Sequence, residues 1–416
     1  MHVAVIGLGK LGTPLLAAIA SRGISVTGVD KNTTISEALG RRESPVKEAG
    51  VQEILDNSEA SSLISISSIE DAVKSSDILF IVVPTPSLWN GLFSSAYVEE
   101  VAKSIGSAMQ TVDGNSYKLF VLVSTVMPGE TERVLTRTIR SLSPRRQGRD
   151  YGICYNPEFI ALGSVIQDIL YPDCTIIGQS DEKAGGCLEQ FYRTLHPNKE
   201  VPIARMSFVE AEIAKLSVNC YLTMKISYAN LLAELCEQFP GANVDTVTGA
   251  VGLDSRIGTK YLKGATAYGG PCFPRDTSAM KMVALGLGLD FSLVAATESI
   301  NNQQTQRLAD IVCRRARSEN QVGILGRSYK TQTDVEEKSA GVELQNELKR
   351  RGRESFLPLD DEPAQPIVDL SDIVVIMLPD PKYKELNFGT RTVIDCWRIF
   401  EKSEQPENYV AIGVGL

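Results

Sequence analysis

A glycine-rich turn near the start of the chain, Gly7-Leu-Gly9-Lys-Leu-Gly12, restricts the possible fold more than any other feature of the 416 residues. The residues before it, at 2–7, form a short apolar run typical of a buried strand, and the segment from Gly12 to Ser21 has the pattern of a helix. A second strand is predicted at 25–30. Strand, tight turn, helix and strand in this order predict a βαβ unit, which belongs in a parallel sheet.

Further short apolar runs have the composition of parallel strands buried on both faces. Four of them extend the first sheet, at 77–83, 119–124, 152–155 and 175–178. After residue 305 the alternation restarts, and strands are predicted at 321–326, 373–378 and 392–395. The predicted fold class is therefore α/β, with two Rossmann-like doubly wound parallel-sheet domains joined by a long central helix.

The central helix is predicted from residues 207–239, which contain neither proline nor glycine. A helix of this length spans about 45 Å, more than one small domain covers. Because apolar residues surround much of its circumference, we expect it to pack between domains and to form a homodimer interface. The predicted boundaries are an N-terminal cofactor-binding domain at 1–200, a central helical and dimerisation domain at 201–304 and a C-terminal nucleotide-binding domain at 305–416.

Composition narrows the class of partner. The net charge of −9 argues against nucleic acid as a partner, and no apolar run is long enough to span a membrane. The eight cysteines form no CxxC pair and no leader sequence precedes the first strand, so we expect a cytoplasmic protein with free thiols. Only two histidines occur, His2 and His196, and no metal site is predicted.

The glycine-rich turn has the spacing of a dinucleotide-binding site. Gly7 permits the tight turn, Gly9 allows a pyrophosphate to approach the backbone, and Gly12 allows close packing of helix on strand. Asp30, 18 residues after Gly12, can accept hydrogen bonds from a ribose diol and would repel a 2′-phosphate. The predicted cofactor is therefore NAD, with the adjacent Lys31 at the same site.

Polar residues at two other strand ends are placed to line the cofactor. Thr85 and Thr125 each follow a predicted strand, and ligands of open parallel sheets bind beyond the carboxyl ends of the strands. On the central helix, Lys215 and Asn219 lie four residues apart and share one face, where they offer a cation and an amide to a developing oxyanion. The alternatives are strand caps for the threonines and a solvated helix face for the other pair.

Cys272 lies in Tyr268-Gly-Gly-Pro-Cys272-Phe-Pro-Arg-Asp276, where glycines and prolines fix an irregular backbone around one thiol. A nucleophile needs such positioning, since orientation supplies much of its rate, whereas a structural cysteine does not. A nearby cation such as Lys215, or a base, must then activate the thiol. A buried structural cysteine remains the alternative.

Five motifs together carry a resemblance to a known family: GLGKLG at 7–12, NPEF at 156–159, AEIAKLSVN at 211–219, SRIG at 255–258 and GGPCFPRD at 269–276. In this order, over essentially the whole chain, they resemble the UDP-glucose/GDP-mannose dehydrogenase family. The GGPCFPRD form is most similar to the UDP-glucose branch. The resemblance implies an NAD-dependent, four-electron oxidation of the C6 alcohol of a nucleotide sugar through a cysteine thiohemiacetal and thioester.

The resemblance also implies catalytic roles. Cys272 matches the nucleophile, and Lys215 and Asn219 match the pair that holds the substrate oxygen and stabilises the tetrahedral species. Asp276 matches the carboxylate that assists water and proton transfer. Thr125 matches a residue that positions the active-site water, and Glu158 matches a carboxylate linked to thioester hydrolysis.

Binding residues are implied in the same way. Arg275 matches a basic residue on the cofactor side, and Tyr261 a ligand of the substrate phosphate. Arg256 matches an arginine that reaches the sugar from a neighbouring subunit. The remaining substrate-binding positions are Phe159, Gly269, Lys330 and Arg398, the last two being the cations of the C-terminal nucleotide pocket.

Two positions depart from the family pattern. Leu162 stands where a second glutamate usually follows NPEF, and Glu337 stands where an arginine usually contacts the cofactor, unless Lys338 takes that place. A buried acid facing a pyrophosphate would be costly. The departures leave a GDP-mannose or modified-hexose 6-dehydrogenase and a non-catalytic nucleotide-sugar-binding paralogue as alternatives. A single-hydride hydroxyacid dehydrogenase is a further alternative, since enzymes of that related architecture also place a lysine and an asparagine on a long helix.

Overall fold

The computed structural model describes residues 1–112, 116–160, 162–197, 200–317 and 320–415. The chain divides into two units, Met1–Leu216 and Ser217–Leu416. Each unit contains one sheet, and in each sheet the strand order reverses around the first strand of the unit, as in a doubly wound fold. The predicted fold class is thereby confirmed.

The first unit is built on eight strands in the order β3-β2-β1-β4-β5-β6-β7-β8. Their bounds are β1 His2–Ile6, β2 Ser25–Val29, β3 Ile64–Ile66, β4 Ile78–Ile81, β5 Lys118–Leu122, β6 Tyr151–Tyr155, β7 Thr175–Gln179 and β8 Ile203–Met206. The central strands β4 and β5 are buried along their whole length, as their continuous apolar sequences predict.

One prediction about this sheet was wrong. The apolar run at 175–178 was expected to continue the parallel series, but β7 pairs antiparallel with β6, and β8 then pairs parallel with β7. The connection between β6 and β7 contains the six-residue helix α8, Val165–Leu170. The antiparallel pairing means that the chain enters β7 at the edge of the sheet where β6 ends.

Helices cover both faces of this sheet and bury two apolar layers. They are α1 Gly12–Ser21, α2 Thr33–Gly40, α3 Val51–Asp56, α4 Ser58–Ser62, α5 Ile69–Ser75, α6 Ala96–Ala108, a π-helix at Thr131–Thr136, α7 Arg137–Leu142, α8 and α9 Glu182–Leu195. The longest helix among the described residues, α10, runs from Phe208 to Cys236, so it begins in the first unit and continues in the second.

The second unit continues with helices and then a five-stranded parallel sheet in the order β10-β9-β11-β12-β13. The helices are α11 Val244–Gly252, α12 Phe273–Gly286, α13 Ser292–Arg315, α14 Ala340–Arg350, α15 Gln365–Leu370 and a 3₁₀ helix at Pro381–Glu385. The strands are β9 Val322–Leu325, β10 Ser355–Phe356, β11 Ile373–Ile376, β12 Thr392–Asp395 and β13 Asn408–Ala411. Across the described ranges, no helix has both the length and the hydropathy that crossing a bilayer requires.

Candidate active site

The glycine-rich turn joins β1 to α1 in a conformation that other residues do not fit. Gly7 has φ of 94°, and a Cβ there would lie 2.4 Å from the Val82 carbonyl oxygen. A Cβ on Gly12 would lie 1.8 Å from the Gly7 carbonyl oxygen, so the helix approaches the turn as closely as predicted. Around Gly9 the space is open, with nothing within 4 Å of a Cβ.

Asp30 follows β2 and contacts the same turn. Its carboxylate accepts hydrogen bonds from the backbone amides of Leu8 at 2.7 Å and Asn32 at 2.8 Å, which aim it along the end of the sheet. A carboxylate has further acceptor positions, so a ribose diol can still bind it. The cation of Lys31 lies over the ring of Tyr97 at 4.5 Å. The open space at Gly9, the helix N-terminus and the aimed carboxylate fit a dinucleotide without a 2′-phosphate.

The ends of β4 and β5 bring the two predicted threonines together. Thr85 is buried, and its hydroxyl donates to the backbone carbonyl of Thr125 at 2.7 Å. Ser124 ties the same strand ends, because its hydroxyl accepts from the Val83 amide at 3.0 Å and donates to the Val83 carbonyl at 2.7 Å. Thr85 thus supports the loop at Thr125, which is itself half-buried at the strand end.

Glu212 carries a function in this loop that the sequence did not reveal. It is fully buried on α10, and its carboxylate accepts from the amides of Gly129 at 2.5 Å and Thr131 at 2.8 Å, at the start of the π-helix. Burial raises the pKa of Glu212 above its ordinary value, against the opposing effect of these hydrogen bonds. A conspicuous acid inside the apolar stretch of α10 is the signal that could have found it.

Glu158, Phe159 and Lys215 meet in the first unit. The ammonium group of Lys215 donates to the backbone carbonyl of Glu158 at 2.6 Å and lies 4.8 Å from the centre of the Phe159 ring. Lys215 is largely buried, so this cation is held between a carbonyl and an aromatic face. Residues 57 positions apart are thus brought together where NPEF leaves β6.

The carboxylate of Glu158 is contacted from α9. Burial raises the pKa of Glu158 to about 7, while a hydrogen bond from Tyr192 and the charge of Lys215 act in the opposite direction. The Tyr192 hydroxyl lies 3.3 Å from Glu158 Oε1 and also donates to the side-chain oxygen of Asn156. A carboxyl group that titrates near neutral pH is suited to general acid and base catalysis.

In the second unit, Cys272 immediately precedes α12 and is exposed. One turn further on, the buried carboxylate of Asp276 accepts a hydrogen bond of 2.6 Å from the side-chain amide of Asn219 on α10. The side chain of Arg275 lies 3.9 Å from the other oxygen of Asp276. The structure therefore joins three predicted residues, Asn219, Arg275 and Asp276, next to the thiol-bearing loop.

The loop before Cys272 makes two close contacts that only glycine permits. A Cβ on Gly269 would lie 1.9 Å from the Lys338 carbonyl oxygen, and one on Gly270 would lie 2.5 Å from the Tyr329 ring. The Gly270 amide donates to the Glu337 carbonyl at 2.9 Å. The position of the thiol loop is thus set by the segment that follows β9.

Both departures from the family pattern have a structural account. The Glu337 side chain is exposed, so no acid is buried at this position, and its backbone carbonyl accepts a hydrogen bond from the thiol loop. Lys338 is exposed as well, at φ of 53°, and pairs with Glu343 at 3.8 Å. Leu162 packs its partly buried side chain on the apolar core of the first unit.

Tyr261 lies near the thiol loop, since its ring meets that of Phe273 edge-on with 6.0 Å between centroids. Its φ of 62° is a left-handed conformation that a bulky residue rarely adopts, which is typical of functional positions. The side chain of Arg256 is 86% exposed and pairs with Asp254, two residues before it, at 2.6 Å. Its guanidinium is therefore accessible to solvent.

The two cations assigned to the C-terminal nucleotide pocket differ in environment. Lys330 is partly exposed, with its ammonium 6.0 Å from the ring centre of Tyr329. Arg398 has a side chain that is 6% exposed, and it forms two hydrogen bonds with Asp245, at 2.6 and 2.9 Å. It also donates to the carbonyls of Cys396, Ile412 and Gly264. Binding of a phosphate by Arg398 would require exchange of these bonds, since they occupy the whole guanidinium.

Comparison with known proteins identifies the family to which the chain belongs. The chain matches the NAD binding domain of the UDP-glucose/GDP-mannose dehydrogenase family over residues 1–196 and the central domain of that family over residues 209–303. It is 32% identical to a UDP-glucose 6-dehydrogenase of Haloferax volcanii over 83% of this chain and 80% of that one. It is 30% identical to a GDP-mannose 6-dehydrogenase of Pseudomonas aeruginosa over 85% of this chain and 80% of that one.

A solved structure agrees in fold over the full length. The UDP-glucose dehydrogenase of Pyrobaculum islandicum superposes with a TM-score of 0.89 at 30% identity, covering 100% of this chain and 98% of that chain. The family match spans more than half of the chain and includes both the glycine-rich turn and the thiol loop. The chain therefore belongs to the UDP-glucose/GDP-mannose dehydrogenase family and is an NAD-dependent nucleotide-sugar dehydrogenase.

Proposed function

We propose that this protein oxidises the C6 primary alcohol of UDP-glucose to the carboxylate of UDP-glucuronate, with Cys272 as a covalent relay. The observation that carries the proposal is the arrangement around the thiol: an exposed cysteine at the start of α12, a buried Asn219–Asp276 hydrogen bond one turn later, and a preceding loop that only glycine fits. A structural cysteine requires none of these.

On the cofactor side, we propose that Gly7, Gly9 and Gly12 hold the pyrophosphate of NAD and that Asp30 binds its ribose. NAD, when bound, supplies a two-electron acceptor for each of two oxidations. The carboxylate of Asp30 excludes a 2′-phosphate by charge repulsion. Thr85 and Ser124 keep the strand ends together, so that Thr125 can position water.

The relay begins when the Cys272 thiolate adds to the carbon of the aldehyde formed in the first oxidation. The N-terminal end of the α12 dipole favours negative charge at this position. In the resulting tetrahedral species the new oxyanion is stabilised by the Lys215 ammonium and the Asn219 amide. Covalent capture prevents loss of the aldehyde and divides a difficult reaction into two easier ones.

The second oxidation leaves a thioester, which water hydrolyses. A water oxygen adds to the thioester carbon, Glu158 accepts one of its protons, the carbon–sulfur bond breaks and Cys272 leaves as a thiolate. Asp276 assists proton transfer at the alcohol. Each molecule of the sugar carboxylic acid thus requires one molecule of water and two of NAD. A pKa of about 7 leaves a substantial fraction of Glu158 ionised and able to act as a base at neutral pH.

For the nucleotide sugar, the UDP-glucose enzymes of Haloferax and Pyrobaculum support UDP-glucose, and the Pseudomonas relative keeps GDP-mannose as the second candidate. We propose that Tyr261 and Lys330 bind the substrate phosphates, with Phe159 and Gly269 lining the sugar. Arg398 would contribute to the nucleotide site only if it exchanged its present hydrogen bonds. We therefore assign phosphate binding to Lys330 rather than to Arg398.

We also propose a homodimer formed through α10. Tyr221, Tyr228 and Leu235 recur every seven residues on this helix and are 55%, 53% and 54% exposed, so they lie along one face. An apolar stripe of this kind marks a protein interface. The exposed Arg256 would then reach the sugar bound by the partner. Tyr228→Glu should convert the dimer to a monomer in sedimentation velocity, and an unchanged sedimentation coefficient would exclude this face.

The decisive experiment measures NADH and acid released from a panel of nucleotide sugars. We expect two NADH per acid with UDP-glucose as the preferred substrate. One NADH per substrate would exclude the relay and favour a single oxidation, and binding of NAD and UDP-glucose without turnover would favour a non-catalytic paralogue. Cys272→Ser should abolish acid formation, while the matched variant of another exposed thiol, Cys174→Ser, should retain it.

A further inference from the structure

Glu158 is held by a residue from a different element. Tyr192 on α9 is 4% exposed, and its hydroxyl reaches both Glu158 Oε1, at 3.3 Å, and the side-chain oxygen of Asn156. The amide of Asn156 is itself oriented, because its nitrogen donates to the Ile176 carbonyl at 2.9 Å. The oxygen of Asn156 therefore faces Tyr192 as a fixed acceptor.

The hydroxyl of Tyr192 has one proton and two acceptor lone pairs, so it can serve either ionisation state of Glu158. When Glu158 is a carboxylate, the hydroxyl proton can be donated to it. When Glu158 is protonated, Tyr192 can donate to Asn156 and accept from the Glu158 hydroxyl. In both states the partly buried carboxyl group keeps a hydrogen-bond partner, which avoids the cost of leaving it unpaired away from water.

We propose that Tyr192 is a positioning residue for Glu158, turning its hydroxyl between Asn156 and Glu158 as the carboxyl group gains and loses its proton. This inference rests on the proposed function, in which Glu158 is the base for thioester hydrolysis. As a proton moves from the attacking water to Glu158, the Tyr192 hydroxyl turns to Asn156. As Glu158 releases the proton to solvent, the hydroxyl turns back.

Other charged and titratable groups also act on Glu158 and Tyr192. The Lys215 ammonium favours the carboxylate of Glu158, but its hydrogen bond goes to the backbone carbonyl. Asp168 on α8 acts in the opposite direction by its negative charge. Cys154 acts on Tyr192 by its charge, and the ring of His196 stacks on the ring of Tyr192 with 5.6 Å between centroids.

The test follows the titration of Glu158 in the full-length protein. We label glutamate side-chain carboxyls with ¹³C, assign Glu158 by its loss in Glu158→Gln, and titrate wild type and Tyr192→Phe. Because Phe removes a donor to the carboxylate, the Glu158 pKa should rise above about 7 by roughly one unit, and the acidic limb of the pH–kcat profile should move by the same amount. KM should change little.

Two further variants make the test sharper. Asn156→Ala removes the competing acceptor, so Tyr192 donates more fully to Glu158 and the pKa should shift in the opposite direction, downward. Tyr151→Phe is the matched control: it removes another buried hydroxyl, on β6 in the other apolar layer, and should leave the Glu158 titration unchanged.

The outcomes separate the two hypotheses. An unmoved Glu158 titration in both Tyr192→Phe and Asn156→Ala would overturn the role of Tyr192, as would a loss of stability in Tyr192→Phe without a shift. If Glu158→Gln leaves the acidic limb of the activity profile in place, Glu158 is not the base and the proposed function fails at that step. The NMR titration alone would then test whether Tyr192 positions the Glu158 carboxyl group.

Discussion

Replacing Glu212 by alanine tests whether one buried carboxylate holds the loop that carries Thr125. The variant removes the acceptor of the Gly129 and Thr131 amides, which lie 2.5 and 2.8 Å from the carboxylate oxygens. A hydrogen bond to a charged group contributes about 1.5–3 kcal/mol. Two such bonds, less the cost of burying the carboxylate, give a net loss of about 3 kcal/mol in the free energy of unfolding.

The assay is urea unfolding followed by circular dichroism, with thermal unfolding as a second measurement. For units of this size, a loss of about 3 kcal/mol corresponds to a fall in Tm of roughly 6–12 °C. Glu210→Ala is the matched control on the same helix, because the exposed carboxylate of Glu210 accepts local hydrogen bonds from Ser207, three residues away. That variant should lower the free energy of unfolding far less than Glu212→Ala does, because the Glu210 carboxylate is exposed to solvent.

The pH dependence of Glu212 has a definite sign. Burial raises its pKa in the folded protein, so ionisation is less favourable there than in the unfolded chain. Its contribution to stability is greatest below the pKa of the unfolded chain and falls as pH rises through the folded pKa. The stability of wild type minus that of Glu212→Gln should therefore decrease as pH rises. A Glu212→Ala loss no larger than that of Glu210→Ala, or a difference that grows with pH, would refute the reasoning.

Three other predictions concern separate parts of the molecule. Lys118 is buried and donates to two carbonyls at the end of α5, at 2.7 and 2.8 Å. Lys118→Met should therefore lower the free energy of unfolding by about 2 kcal/mol, and an unchanged urea midpoint would contradict this prediction. Gly269→Ala should destabilise the thiol loop and reduce activity, since its Cβ would meet a carbonyl oxygen at 1.9 Å. The control Gly286→Ala, at the end of α12, has open space around its Cβ and should be neutral or slightly stabilising in thermal unfolding. Asp30→Ser should raise the kcat/KM ratio of NADP to NAD by on the order of tenfold, and an unchanged ratio would exclude Asp30 as the discriminating residue.

Several features of this protein follow from local sequence. The glycine spacing at 7–12 predicts the βαβ unit because Gly7 and Gly12 meet backbone atoms of their own turn and the adjoining strand. Continuous apolar runs predict buried parallel strands, and the absence of proline and glycine predicts α10 to within a few residues of its bounds. These features depend on short-range contacts or on sequence periodicity, and each can be predicted from a segment of fewer than 40 residues.

Other features were decided only by tertiary structure. The reversal of β7 depends on where the chain after β6 re-enters the sheet, and no periodicity in the strand itself records that direction. The burial of Arg398 against Asp245, 153 residues away, and the hydroxyl of Tyr192 beside Glu158, 34 residues away, are products of packing. A residue type states what a side chain can bond to, whereas only the folded chain determines which partner lies within 3 Å of it.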